Sequence, residues 1–308
     1  MQTDTPAAAA LRRHRFALFL MWLTPLMWSS NYIIARAANG VIAPHMLALG
    51  RWGLALLLML PFAWSGLVAA RPHWRREWQQ MLVLGALGMW ICGAIVYLGA
   101  QTTSAVNIGL IYAAAPVAIA FFGARLLHET VTRVQRVGML LAFGGVVFVI
   151  AKGDAANLLS VRFTAGDGWI LLAMASWVAY TVLQQRWPSA LGASARLAAI
   201  TMGGVVVLLP FTLAEALLTD LPPFSLQALG LVVLAAVLPG FLSYRAYAFM
   251  LQELGTARAG LVLYLGPVYA AGTAWALLGE PPQWFHGVGA ALILPSIYLA
   301  TRGRRPPA

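Results

Sequence analysis

The chain has 308 residues, of which 61% are hydrophobic and 9% charged, and a formal net charge of +11. A soluble domain carries roughly 25% charged residues, so this composition cannot clothe a soluble core in polar surface, and lipid is the solvent that fits it. The basic residues come as short clusters between apolar runs, which sets aside a nucleic-acid partner in favour of the positive-inside pattern of a membrane protein.

A bilayer-crossing helix needs about 20 mostly apolar residues. The first candidate, 16–36, follows Arg12-Arg13-His14-Arg15 and ends at Ala35-Arg36-Ala37, which resembles a signal-peptide cleavage site. Its apolar run is longer than a signal core, so it reads as an uncleaved helix. Further runs follow at 45–69, 79–100, 104–126 and 133–151, broken by Pro44, the basic cluster Arg71 to Arg76, Thr102-Thr103 and a charged turn around Glu129. A linker over 152–165 leads to 166–186, 194–218, 226–250, 256–279 and 284–302. The runs are continuously apolar and lack the alternation of a membrane barrel. The single cysteine, Cys92, excludes a disulfide framework and a cysteine-based metal site. The expected fold is an all-α integral membrane protein with ten transmembrane helices.

Shifting the sequence by 151 residues carries Gln101 onto Gln252, Gly109 onto Gly260, Pro116 onto Pro267, Glu129 onto Glu280 and Gly138 onto Gly289 without a gap. The shift defines two units, 1–151 and 166–308, joined by the linker. Trp28 and Trp177 pair at a slightly different offset, 149. Five helices per unit is an odd number, so the units enter the membrane from opposite sides. That is an inverted-topology repeat, with a substrate site expected near the midplane. Both termini then share one side. Placing that side in the cytoplasm puts fourteen basic residues inside and three (Arg36, Lys152 and Arg162) outside.

The two sets Gly109, Pro116, Glu129, Gly138 and Gly260, Pro267, Glu280, Gly289, each closing a five-helix unit, resemble the drug/metabolite transporter superfamily of the ten-helix EamA-like kind. Gly168-Trp169 and Ser176-Trp177-Val178-Ala179-Tyr180 at the start of the second unit are also similar to it, and the likeness covers essentially the whole chain. It implies a small-molecule transporter of the bacterial inner membrane, a monomer or homodimer. Within the superfamily the aromatic-rich helices are similar to bacterial exporters of aromatic amino acids. The chain has no Walker-type phosphate loop, His cluster or nucleophile–base pair, so neither a cofactor nor catalysis is expected. Small multidrug exporters of the superfamily carry a carboxylate in the first helix, and Met21 to Tyr32 has none.

Several residues are candidates for the transport path. Arg51 and Arg245 lie inside apolar runs, where a charge costs a few kcal/mol and faces protein or a water-filled cavity. Either guanidinium could pair with a substrate carboxylate. Trp28, Trp90, Tyr97, Tyr112, Trp177, Tyr180, Tyr244, Tyr247 and Tyr264 lie deep in helices, with Asn31, Gln101, Asn107 and Gln184 in the same helices, and suggest a cavity with aromatic walls and a few polar donors. Pro116 and Pro267, as helix-interior prolines, are candidate hinges. Glu129 and Glu280 read as capping or loop-anchoring carboxylates, with Arg133 and Arg136 as possible partners for Glu129.

Overall fold

A computed structural model describes residues 6–103, 105–278 and 281–301, so Glu280 lies outside the described residues. Among these residues the regular structure is helical and includes no strand. The first half contains α1 (Pro6–Ala38), α2 (Pro44–Ala69), α3 (Arg71–Gly85, Ala86–Ile95 and Val96–Ala100 in series), α4 (Ala105–Ala113 and Ala115–Leu126) and α5 (Arg133–Ile150). After a short helix at Ala155–Leu159 come α6 (Ala165–Arg186), α7 (Ala193–Leu218), α8 (Leu226–Ala235, Ala236–Leu242 and Ser243–Leu254), α9 (Thr256–Gly260, Leu261–Leu265 and Gly266–Leu278) and α10 (Trp284–Thr301).

Among the described residues eight helices, α1 to α8, are long and apolar enough to cross a membrane, where the sequence leads one to expect ten. The apolar run of α10, Trp284–Ala300, falls just short of that length, and α9 is divided into three pieces. The basic cluster Arg71 to Arg76, expected as a break, instead opens α3. Pro72 sits in its first turn, where a missing N–H breaks no intrahelical bond.

Pro116 and Pro267 are not interior to continuous α-helices. α4 leaves the regular ladder at Ala114, whose N–H reaches Ile111 O at 3.2 Å, and Pro116 falls in the first turn of the next piece. In α9 the tightened turn Leu261–Leu265 precedes the piece starting Gly266-Pro267. Each segment thereby avoids the clash between a proline ring and the preceding turn. The helices α3 and α8 contain widened π segments, Ala86–Ile95 and Ala236–Leu242, at corresponding places in the two halves. Such segments shift the helix face and change which carbonyls are free for other donors.

Close contacts between helices rely on glycine. Gly138 and Gly145 of α5 face α10, and Gly289 of α10 faces Val149. A methyl on Gly85 would collide with the backbone of Ile200, Gly203 and Gly204 in α7. Ala normally exceeds Gly in a helix by about 1 kcal/mol. At this site the sign is reversed, because backbone cannot yield as a side chain can. Gly85→Ala is expected to lower the apparent melting temperature in detergent and to shift the protein toward aggregate in size-exclusion chromatography. Gly53→Ala, where nothing lies within 4 Å of the added carbon, should do neither.

Candidate functional site

Asn31 of α1, Arg51 of α2 and Tyr97 of α3 meet at one point. Arg51 Nη1 donates to Asn31 Oδ1 at 3.2 Å and to the Tyr97 hydroxyl at 3.1 Å, and Nη2 donates to the Pro239 carbonyl at 2.8 Å. The Tyr97 hydroxyl in turn donates to Asn31 Oδ1 at 2.7 Å. The Arg51 guanidinium also lies 4.6 Å over the Trp52 ring. Its residue is 4% exposed, and Nε is buried without a partner. Every hydrogen-bond acceptor around this cation is neutral, and among the described residues no carboxylate pairs with it. A buried charge held only by neutral dipoles is short of a counter-ion. Tyr97 also faces a cavity of about 520 Å³, shared with Asn39, Leu47, Gln101 and Thr103, so the cation stands one side chain behind the cavity wall.

The π segments supply two repeat-related carbonyls. Pro239 O, at the 151-residue offset from Gly88, receives Arg51 from the other half. Gly88 O receives the Tyr244 hydroxyl at 2.9 Å, again from the other half. Ser243 Oγ uses the same Pro239 oxygen at 2.7 Å, and Pro239 was not among the sequence candidates.

Behind this network lies a packed aromatic block. The Trp177 ring is 5.3 Å from Trp28, 4.9 Å from Tyr247, 5.4 Å from Tyr180 and 5.7 Å from Tyr244, and Tyr244 lies 4.7 Å from Trp52. Trp177, Tyr180 and Tyr244 are buried, so these three form a plug rather than an open wall. Tyr247, one of the deep aromatics, joins them, and so does Trp52, which was not among the candidates although it follows Arg51 directly. Truncating a packed tryptophan costs about 3–5 kcal/mol in a core. Trp177→Ala is therefore expected to reduce thermal stability as well as flux, which differential scanning fluorimetry and a transport assay on the same preparation would separate.

Other candidates lie elsewhere. The Arg245 guanidinium lies 4.5 Å from the Phe62 ring and 5.4 Å from the Phe241 ring, beside that stacked pair, and Phe62 is exposed on the bundle surface. Trp90 stacks on Phe211 at 3.9 Å, toward α7. The Tyr112 hydroxyl approaches Cys92 Sγ at 3.8 Å. Tyr264 is fully buried, and its hydroxyl has no partner. None of these four lines the cavity.

Polar contacts join the halves at both ends of the bundle, through Glu129 at the arginine-rich one. The Glu129 carboxylate accepts from Thr256 N at 2.9 Å, Thr256 Oγ1 at 2.8 Å and Ala257 N at 3.2 Å, capping the start of α9. Gly255, with φ of 79° and ψ of 173°, separates α8 from α9 by one residue and presents those amides. That region of backbone space is essentially reserved to glycine. Thus Glu129 is an anchoring carboxylate, but its partner is the start of α9 rather than Arg133 or Arg136. Arg13 pairs with Glu253 at 2.6 Å, and Arg186 Nη1 donates to Leu126 O at 2.9 Å. At the other end Asp167 accepts from Thr103 and from Asn107 Nδ2, the latter at 2.8 Å, and Glu215 lies 3.0 Å from His45 Nδ1. There the wide cavity remains.

A multi-pass helical membrane protein with a buried cation beside a solute-sized cavity has the form of a carrier. The model of the EamA-like transporter family matches residues 15–151 and 164–302. The chain belongs to that family. It is 24% identical to an uncharacterized transporter of Archaeoglobus fulgidus over 92% of this chain and 96% of the relative. It is 24% identical to an S-adenosylmethionine/S-adenosylhomocysteine transporter of Chlamydia trachomatis, over 89% of this chain and 86% of the relative. A "probable terminal-alkyne amino-acid exporter" of Streptantibioticus cattleyicolor is 27% identical over 94% of this chain and 95% of its own. A solved crystal structure superposes with a TM-score of 0.74 at 18% identity, covering 92% of this chain and 96% of the other, a likeness of fold alone.

Proposed function

We propose that this transporter exports small amphipathic metabolites, amino acids and among them aromatic ones, from the cytoplasm by alternating access. Ten membrane crossings form two inverted five-helix repeats, 1–151 and 166–308, with both termini cytoplasmic in a bacterial plasma membrane, as a monomer or homodimer. The paired π segments, the two broken proline-bearing helices and the two separate family matches support the repeat. In this arrangement the arginine-rich end is cytoplasmic and closed, and the cavity opens outward. Pro116 and Pro267, at the breaks, are the hinges.

The observation that carries the substrate reading is Arg51, a buried guanidinium with neutral partners and a free Nε behind the cavity wall. A substrate carboxylate supplies the missing counter-charge, and a planar guanidinium suits it. The cavity, at about 520 Å³, lies within the usual range for small-molecule sites. The molecules named for the chlamydial and streptomycete relatives both bear an amino-acid carboxylate, which agrees with this chemistry.

The test is flux of labelled phenylalanine, tryptophan, a branched-chain amino acid and a nucleoside across proteoliposome membranes, with and without a pH gradient. Saturable phenylalanine and tryptophan flux, with the nucleoside left behind, is expected. If none of the amino acids moves while the protein remains folded, the substrate assignment fails.

A further inference from the structure

A second, much smaller cavity of about 20 Å³ lies toward the arginine-rich end, lined in part by Gln184, Ala193, Arg196, Ala248 and Gln252. Its lining repeats that of the wide cavity. At the 151-residue offset Ile42 becomes Ala193, Tyr97 becomes Ala248 and Gln101 becomes Gln252. At the 149-residue offset that relates Trp28 to Trp177, Ala35 becomes Gln184. The wide cavity is thus bordered by α1, α2 and α3, and the narrow one by their counterparts α6, α7 and α8.

The narrow cavity is compact but polar. Gln184 is 8% exposed, and Arg196 Nε is buried without a hydrogen-bond partner. A buried donor without an acceptor costs about 1–3 kcal/mol. An acceptor oxygen of a solute entering beside Arg196 would satisfy that donor. Arg196 Nη2 meanwhile rests on the Trp187 carbonyl at 2.6 Å, a neutral partner it can exchange for an anion.

We infer that this narrow cavity is the closed cytoplasmic mouth of the carrier, and that Gln184, Arg196 and Gln252 form the subsite where a carboxylate-bearing solute is first loaded. The inference rests on the transport reading above. Arg196 stands in the lining of the narrow mouth, whereas at the wide mouth the nearest cation, Arg51, lies behind Tyr97 and the described lining carries Asn39, Gln101 and Thr103 but no charged side chain.

Two measurements test this. In a Cys92→Ala background, Gln184→Cys and Gln101→Cys are each treated with a membrane-impermeant maleimide from either face of oriented vesicles, with and without Glu129→Gln to loosen the arginine-rich end. Gln101→Cys, at an exposed position, is expected to label from the outer face at rest. Gln184→Cys, at a buried position, is expected to label slowly, from the cytoplasmic face, and several-fold faster when Glu129→Gln is present. This readout needs no solute, so it stands even if the amino-acid reading fails. No labelling of Gln184→Cys under any condition, or labelling only from the outer face, overturns the assignment of the mouth. The second measurement is the KM for phenylalanine from each face. Arg196→Gln, or Gln184→Leu should the first variant not fold, is expected to raise KM from the cytoplasmic face about tenfold and leave the outer-face value unchanged, with Arg196→Lys restoring part of the loss. Equal changes from both faces would mean a structural role and overturn the loading subsite.

Discussion

Replacing Arg51 with Leu is expected to abolish carboxylate-solute flux while leaving the melting temperature within a few degrees of the parent. The two halves of this result have separate causes. Bonds to a charged group are worth about 1.5–3 kcal/mol each, and each 1.36 kcal/mol is a factor of ten in rate. Loss of the cation should therefore lower transport efficiency by about 10–100-fold or more. Stability behaves differently because the acceptors that Arg51 leaves keep other donors. Asn31 Oδ1 retains the Tyr97 hydroxyl at 2.7 Å, and Pro239 O retains Ser243 Oγ at 2.7 Å. Removing a buried cation that has no counter-ion also recovers its desolvation cost, and such replacements are often neutral or stabilising. Flux of phenylalanine into proteoliposomes and scanning fluorimetry on one preparation decide the matter. A collapse of stability with Arg51→Leu would make Arg51 a structural strut, and undiminished flux would remove it from the substrate path.

The second large effect is expected at Glu129. Its carboxylate takes two backbone N–H groups and a hydroxyl at the start of α9, and so ties the first half to the second at the arginine-rich end. Loss of an N-capping side chain costs about 0.5–2 kcal/mol, and the charge adds about 0.3–1 kcal/mol against the positive end of the helix. Glu129→Gln keeps the shape and removes the charge, so the closed end should lose about 1–2 kcal/mol, a factor of roughly 5–30 in a two-state equilibrium. Labelling at a cysteine introduced for Gln184, which is 8% exposed, should accelerate by that factor. Arg13→Gln, at the more exposed Arg13–Glu253 pair, should change it much less, because surface ion pairs contribute about 0–1 kcal/mol. Equal rates in the parent and in Glu129→Gln would show that Glu129 is not the lock.

Much of this was legible in the chain. Apolar runs and scarce charge required helices in lipid, and Arg51 stood out because a cation inside such a run is costly. Glu129 was read as an anchoring carboxylate from its place at a helix end, although its partner lies 127 residues away at Thr256, beyond the reach of local pattern. Pro116 and Pro267 announced breaks, but the form of each break, a turn at Ala114 and a tightened run at Leu261–Leu265, depended on neighbouring helices.

What the sequence determined by itself is the helical membrane class, the family and the identities of the polar residues available to a solute. What only the tertiary structure decided is which of them meet. From the sequence Arg51 and Arg245 were equal candidates, yet one is bound to Asn31, Tyr97 and Pro239 and the other lies against the Phe62 and Phe241 rings. Trp177 and Trp90 were equals too, yet one anchors the central block and the other stacks on Phe211. In water the apolar stripe of a helix points to the core. In a bilayer the lipid is as apolar as the interior, so the hydrophobic pattern does not distinguish the two faces. The widened segments in α3 and α8 then rotate the residues beyond them off the regular helical period, and the facing of each side chain is left to packing between the helices.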